Sequence, residues 1–535
     1  MHVAIIYDSE TGPTERASEA MGDVVRAAGH EATVSSVRIA DPATLGAADA
    51  ICVGSWCKGL FVLRQHATEA TMDFIDRLEG IDGKPAAVFC TYKTAVGGML
   101  DSMADRLVSR GADVTGAFKS RGPVAPVHRK AHGGDAGGTG WDGSDLRWAI
   151  GGRNEFKLEA VRDSLGLAAQ DIPIIVGDSH DMAPLERLVA RTNVVCSTVG
   201  PYAMYGSELL AACARSGTNC RDIAAEPHWI RTMVDAHAAE AAQTGARIIH
   251  ACGMDSIPSD VGVLFLQRRA REVHGEPCSN VRMRVTGMKG GFSGGTAASL
   301  LHGTDAGRHD PSIGRAMTEP YYLAPEGHRE GPDLPDDMRS VEVEYDEVLG
   351  AWTKPFFMGP MNSKIVRRTN ALLDYPYGED FRYREAALVA DGRAGWFKAK
   401  GEAIGYVAFL SAVRTSPTRW LLKRYVLPES GEGPSRDVRE SGHWEMAFIG
   451  ETKGGKTARA RVTGEGDPAT DSTSRMLVES ALCLVEDADL IPMGGGSWTP
   501  ASAMGDLLLT RLPAHAGVRF EPEPQPAGEG RQTRG

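Results

Sequence analysis

Gly245-Ala-Arg-Ile-Ile-His-Ala-Cys-Gly-Met-Asp-Ser-Ile-Pro-Ser-Asp260, continued by Val261-Gly-Val-Leu-Phe-Leu266, is the stretch whose reading decides the fold. It runs from an apolar strand through a sharp loop into an apolar helix. Gly253 permits a turn that a side chain would hinder, and Pro258 fits the first helical turn without losing a needed hydrogen bond. Asp255, Ser256 and Ser259 supply oxygens for the helix N-terminus. In open α/β sheets, ligands sit beyond the carboxyl ends of the strands, where backbone N–H groups and helix N-termini converge. Two readings of the stretch therefore stand side by side: a well-capped junction, and a ligand-binding edge with Asp255 and Ser256 as candidate catalytic groups.

The rest of the chain fits an α/β protein of several domains. Its 535 residues exceed one ordinary core, and 42% hydrophobic content supplies apolar material for more than one. A formal net charge of −12 argues against a nucleic-acid binder, which usually shows a basic face. The nine cysteines are scattered, with no CxxC pair and no accompanying histidine cluster. Reduced thiols and no metal site are expected. The start, Met-His-Val-Ala-Ile-Ile-Tyr-Asp, enters a strand directly, without a basic region and apolar stretch. A cytoplasmic protein follows from that reading.

Residues 1–123 alternate strands (Val3–Tyr7, Glu31–Ser35, Ala50–Gly54, Ala86–Thr91 and Asp113–Phe118) with amphipathic stretches, the pattern of a five-stranded doubly wound domain. After the first strand, Ser9-Glu10-Thr11-Gly12-Pro13-Thr14 places three hydroxyls around a glycine at a helix N-terminus, a way of holding a phosphate. An N-cap explains one hydroxyl but not three. The loop resembles the phosphate loop of flavodoxins, and Gly54-Ser55-Trp56 and Thr91-Tyr92 resemble the loops that flank the flavin ring. That resemblance implies FMN, with Trp56 and Tyr92 stacking on it. Pro13 departs from the pattern, because it removes one backbone N–H from the cradle.

Residues 124–145 are rich in Gly and Pro and have no apolar period, so they read as a flexible linker. Their glycines lack the strand-turn-helix frame of a dinucleotide fingerprint. From Leu146 a second parallel pattern begins, with strands near Arg147–Ile150, Pro173–Val176, Val194–Ser197, Asn219–Ile223 and Arg247–Ala251. Cys252-Gly-Met-Asp-Ser-Ile-Pro-Ser-Asp260, Trp148-Ala-Ile-Gly-Gly-Arg-Asn154, Gly200-Pro-Tyr202, Gly294-Gly-Thr296, Gly431-Glu-Gly-Pro-Ser435 and Thr499-Pro-Ala-Ser-Ala-Met-Gly505 occur in one order. Together they resemble the saccharopine dehydrogenase-like oxidoreductases, in the branch called trans-acting enoyl reductases, over about residues 146–515.

The resemblance implies a Rossmann-type domain over residues 146–269, then an α+β substrate and dimerisation domain over 270–520; residues 521–535, rich in Pro, Gly and Glu, read as a disordered tail. It implies NADP, with Gly152, Arg153 and Asn154 on the adenosine side, and Gly200, Pro201 and Tyr202 on the nicotinamide side. Tyr202 joins Asp255 and Ser256 as a catalytic candidate, and Asp178 serves either the adenine or a helix cap. The substrate would be a small-molecule or carrier-bound unsaturated acyl chain. In that family a first strand, a glycine-rich turn and a helix precede the strand ending in Gly-Arg; this chain shows none of them. The domain thus reads as truncated by roughly thirty residues, one strand-helix unit. Its sheet is expected either to close over the missing strand or to leave a seam. Ala403–Leu427 reads as a core or oligomer helix, or as an interfacial helix admitting acyl chains, which leaves a peripheral membrane or lipid contact open.

Overall fold

The computed structural model describes residues 1–9, 13–56, 58–60, 63–92, 99–121, 147–165, 171–254, 256–291, 293–328, 331–334, 342–428 and 433–524. Two compact units emerge, one built mainly on Met1–Asp145 and the other mainly on Ile172–Lys423 and Leu427–Gly535.

In the first unit, β1 (His2–Asp8), β2 (Glu31–Ser36), β3 (Ala50–Trp56), β6 (Pro85–Tyr92) and β7 (Asp113–Arg121) form a parallel sheet in the order β2-β1-β3-β6-β7. A small hairpin, β4 (Lys58–Leu60) and β5 (Leu63–His66), branches after β3. The order reverses between β1 and β3, the doubly wound arrangement of flavodoxins. Ala4, Ile6, Val53 and Val88 are buried on the sheet, under Phe74, Met103 and Leu107 of the covering helices. All five expected strands are present, each slightly longer than alternation alone indicated.

The second unit contains β8 (Ile150–Gly152), β9 (Ile174–Val176), β10 (Val194–Ser197), β11 (Asn219–Asp222) and β12 (Arg247–Ile249). It continues with β13 (Cys278–Lys289), β14 (Tyr345–Asp346), β15 (Ala351–Lys354), β16 (Arg382–Leu388), β17 (His443–Thr452), β18 (Thr457–Glu465), β19 (Gly496–Trp498) and β20 (Val518–Pro522). The parallel strands fall into two sheets among the described residues: β8-β9, and β10-β11-β12-β19. No ladder among the described residues joins β8 to β10. The strand β19 comes from far along the chain and was not foreseen.

The remaining strands form one mixed sheet, β14-β15-β16-β13-β17-β18-β20. The helix Ile257–His274 leaves the decisive loop and packs on β17 and β18. Gly262 makes this contact close, since a Cβ there would lie 2.5 Å from Phe448 Cζ. Glu521 and Pro522 pair with Arg461 and Ala460, so the folded part runs two residues beyond the expected boundary. Nearly every side chain of the helix Gly359–Leu372 is buried, including Lys364, Arg367 and Arg368. Carbonyl oxygens solvate these cations: Lys364 donates to Met317 O, Arg367 to Pro320 O and Arg368 to Leu323 O, at 3.0, 3.0 and 2.7 Å. A buried charge must be compensated in this way or it destabilises the fold.

Candidate functional site

In the second unit the carboxyl ends of β10, β11 and β12 carry a buried polar cluster. Asp222 ends β11, and its Oδ2 lies 2.6 Å from His250 Nδ1, just past β12. Its Oδ1 accepts the N–H groups of Ala224 and Ala251, each at 3.0 Å. Its own carbonyl takes the Cys252 N–H at 2.7 Å. These bonds hold Ala251 in the left-handed region, at φ 59°, a conformation that costs free energy unless its surroundings enforce it. The His250 ring stands edge-on to Trp229, and its Nε2 is buried with no hydrogen-bond partner. An imidazole held at Nδ1 by a carboxylate keeps Nε2 for proton exchange. Strand ends distant in sequence build this pair, which sequence reading missed.

The neighbouring loop is held by Glu226. Its carboxylate accepts the Tyr202 and Ala203 N–H groups at 2.8 and 3.0 Å, and the Ser299 hydroxyl at 2.8 Å. It thereby caps the short helix that follows the cis Gly200–Pro201 bond. Tyr202 is buried, and its hydroxyl donates to Ser197 O at 2.7 Å and accepts the Ile223 N–H at 3.2 Å. Burial and nearby Asp222 push its pKa well above the usual phenol value. Tyr202 therefore ties β10 to β11 and is badly placed to release a proton, which weighs against the catalytic role expected of it.

Ser256 occupies the N-cap of Ile257–His274, but its side chain makes no capping bond. Its hydroxyl instead donates to Asn362 Oδ1 at 3.0 Å, and Asn362 Nδ2 donates to Glu385 Oε2 at 2.9 Å. Tyr383 donates to the other Glu385 oxygen at 2.6 Å. A polar relay thus links the decisive loop to the mixed sheet. Asp255 lies outside the described residues.

At the first sheet fragment, Gly152 ends β8 and Arg153 is exposed, with its guanidinium 5.8 Å from the centre of the Tyr205 ring. Asn154 Oδ1 accepts the Lys157 N–H at 3.0 Å, so it caps the following helix. Asp178 accepts the His180 N–H, whereas Asp181 is the residue that caps Met182–Val189. The cap reading belonged to the wrong aspartate.

In the first unit the helix Pro13–Ala27 starts beyond the carboxyl end of β1, with Thr14 buried in its first turn. Glu10, Thr11 and Gly12 lie outside the described residues, as do the side chains of Pro13 and Tyr92. Trp56 ends β3 and is half-buried. Ser55 is fully buried, and its hydroxyl joins Thr68 and Thr71 in a network that ends on Asp8. Ser55 thus braces the loop through its side chain. Ser9 also has a partner within the protein.

A helix N-terminus over β1 and an indole at the end of β3 fit a flavin phosphate and ring. For a dinucleotide the fit is divided. The orphaned Ser197 Oγ and His250 Nε2 suit its nicotinamide end, and exposed Arg153 suits a 2′-phosphate. The helix Glu155–Ser164 follows β8 and Met182–Val189 follows β9, and the glycine-rich turn of a dinucleotide fingerprint precedes neither. No group of three or more His, Cys, Asp or Glu suited to a metal ion occurs among the described residues, and no helix there is long and apolar enough to cross a membrane.

No family profile matches the chain. It is 42% identical to a Mycobacterium tuberculosis protein whose name places it among the trans-acting enoyl reductases, over 71% of this chain and 91% of that protein. Flavodoxin 2 of Bacillus cereus is 30% identical over 23% of this chain and 86% of its own, with a TM-score of 0.21. Saccharopine dehydrogenase of Saccharomyces cerevisiae is 13% identical over 70% of this chain and 94% of its own, with a TM-score of 0.41.

Proposed function

We propose, from the premise that this chain belongs to the trans-acting enoyl reductase family, that it reduces the carbon–carbon double bond of an unsaturated acyl thioester with NADPH, and that its first unit binds FMN. The observation that carries the reading is the long match to an enoyl reductase, together with the Asp222–His250 cluster at the strand ends of the second unit. When bound, NADPH would supply the hydride.

The chain's own residues do the rest. Glu226 fixes the Gly200–Tyr202 loop, so that a flat ring can lie along it without that loop reordering. Asp222 fixes the orientation of His250, leaving Nε2 to carry the proton that a reduced acyl chain must gain. The Ser256–Asn362–Glu385 relay holds the decisive loop in place as the substrate enters. Trp229 and Tyr202 keep water from the buried side of the site, which strengthens each polar contact there. A homodimer accords with the family resemblance.

The purified chain, mixed with NADPH and a short trans-2-enoyl thioester, is expected to consume NADPH in proportion to thioester, and His250→Gln to abolish most of that rate. Absence of turnover with enoyl thioesters of several chain lengths would refute the reading. The separation of β8-β9 from the sheet β10-β11-β12-β19 favours a second reading, in which only the flavodoxin-like unit is active, as an electron carrier. Bound flavin with no NADPH consumption selects that alternative.

A further inference from the structure

The helix Gly392–Arg414 exposes part of its apolar surface. Its buried residues are Gly395, Ala399, Ala403 and Val413, so the smallest side chains, four residues apart, face the protein. Two of its bulky apolar side chains face outward, Phe397 at 68% exposed and Ile404 at 67%, while Trp396, Tyr406, Phe409 and Leu410 are half-buried. Lys400 and Val407 share their face, at spacings of three and four residues. An ordinary surface helix turns its large apolar stripe inward. The next helix, Ser416–Tyr425, continues the pattern with Trp420 61% exposed and Leu421 beside it.

Charge runs against the rest of the molecule. Residues 392–423 carry Arg393, Lys398, Lys400, Arg414, Arg419 and Lys423 against one acid, Glu402, in a chain of formal net charge −12. Glu402 pairs with Lys354, and Arg419 with Asp305. Arg393, Lys398, Lys400 and Arg414 are exposed along the same helix as Phe397 and Ile404. Exposed bulky apolar groups, an indole and flanking lysines are the chemistry of a helix lying in a membrane interface. Lysine stems reach past apolar groups to put their charge at the headgroups.

We propose that these two helices dock the protein on an anionic lipid surface. The positive patch and the negative headgroups are complementary. The acidic remainder of the protein is screened beyond about 8–10 Å at physiological salt, so local charge decides the encounter. Self-association through the patch would set like charges against each other. An apolar line from Phe397 to Val407 runs about 15 Å along the helix, a length suited to a flat interface. The inference is independent of the nucleotide and acyl chemistry proposed above, since binding is read without turnover.

Sedimentation of the full chain with phosphatidylcholine vesicles, with and without roughly one-third phosphatidylglycerol, tests it. The chain is expected to pellet with the anionic vesicles alone, and less so as salt rises. Phe397→Ser with Ile404→Ser, and separately Lys398→Glu with Lys400→Glu, should each reduce partitioning by about tenfold or more, with thermal unfolding unchanged because all four side chains are exposed. Failure to pellet with either vesicle, or equal pelleting with both, overturns the proposal. So does a result in which the substitutions alter only self-association, or only retention on an acidic acyl-carrier protein.

Discussion

Asp260 offers a quantitative test of how the decisive loop is held. It sits in the first turn of Ile257–His274 and is 1% exposed. Its Oδ1 accepts the Thr369 hydroxyl at 2.5 Å and its Oδ2 the Ala501 N–H at 2.8 Å. Even with these donors, burial pushes its carboxyl up to about 7. An unfolded aspartate titrates near 3.9, so the folded state holds the proton more tightly. The stability this confers is complete below the unfolded value and is lost as pH rises through the folded one. A tenfold difference in proton affinity between the two states is worth about 1.4 kcal/mol. Between about pH 5 and pH 8 the wild type should therefore lose roughly 2–3 kcal/mol through this one group. Asp260→Asn keeps the shape, with its oxygen toward Ala501 and its amide toward Thr369, and carries no titration. Urea unfolding of both proteins across that range isolates the effect, because every other group cancels in the difference. The variant should gain on the wild type by about 2–3 kcal/mol as pH rises. A difference that stays constant, or moves the other way, would show that Asp260 is ionised in the fold and that its donors outweigh burial.

Other residues give sharper functional readouts. Asp222→Asn weakens the hold on His250 and should lower kcat by about a hundredfold, the lower range of general acid–base contributions, with little change in KM for NADPH. Glu226→Gln leaves one N–H of the Tyr202 turn without its acceptor, which should cost about 1–3 kcal/mol in denaturant unfolding and raise KM for NADPH. Gly262→Ala forces the Phe448 ring aside and should cost about 1–3 kcal/mol. Gly405→Ala, where nothing lies within 4 Å of the added methyl, should instead stabilise its helix by up to about 1 kcal/mol; equal effects at the two glycines would contradict the packing described.

Much of the fold was legible because strand alternation and loop chemistry are local. The five strands of the first unit are bounded by their own glycines and polar residues. Likewise β13, β17 and β18 stand out as alternating runs, Val281–Thr286, His443–Ile449 and Ala458–Thr463, whereas a fourth run, Ser340–Tyr345, lies partly outside the described residues and has only Tyr345 in a strand. Pairing between distant segments was not legible. Three residues, Gly496–Trp498, are too short to carry a period, yet they complete the sheet beside β12. Site chemistry was hidden for the same reason. Asp222 and His250 look like ordinary strand-end residues until the parallel pairing of β11 and β12 brings them together. Tyr202 and Ser256 were visible as polar groups in a signature, but sequence could not show that Ser197, Ile223 and Asn362 would engage them.

NADPH affinity tests the central proposal most directly: a reductase site whose loops Gly152–Asn154 and Gly200–Tyr202 would take the adenosine and nicotinamide, without the glycine-rich turn and helix terminus that the family resemblance implies for the pyrophosphate. Such a terminus gives several charge-assisted bonds, each worth about 1.5–3 kcal/mol, so losing two weakens binding by about a hundredfold or more. Calorimetric titration of NADPH into this chain, and into one with a strand-turn-helix segment inserted before Leu146, is expected to show weak binding in the first and a gain of about a hundredfold in the second. Tight binding by the chain as it stands, with no gain on insertion, would contradict the account and place the phosphate site elsewhere.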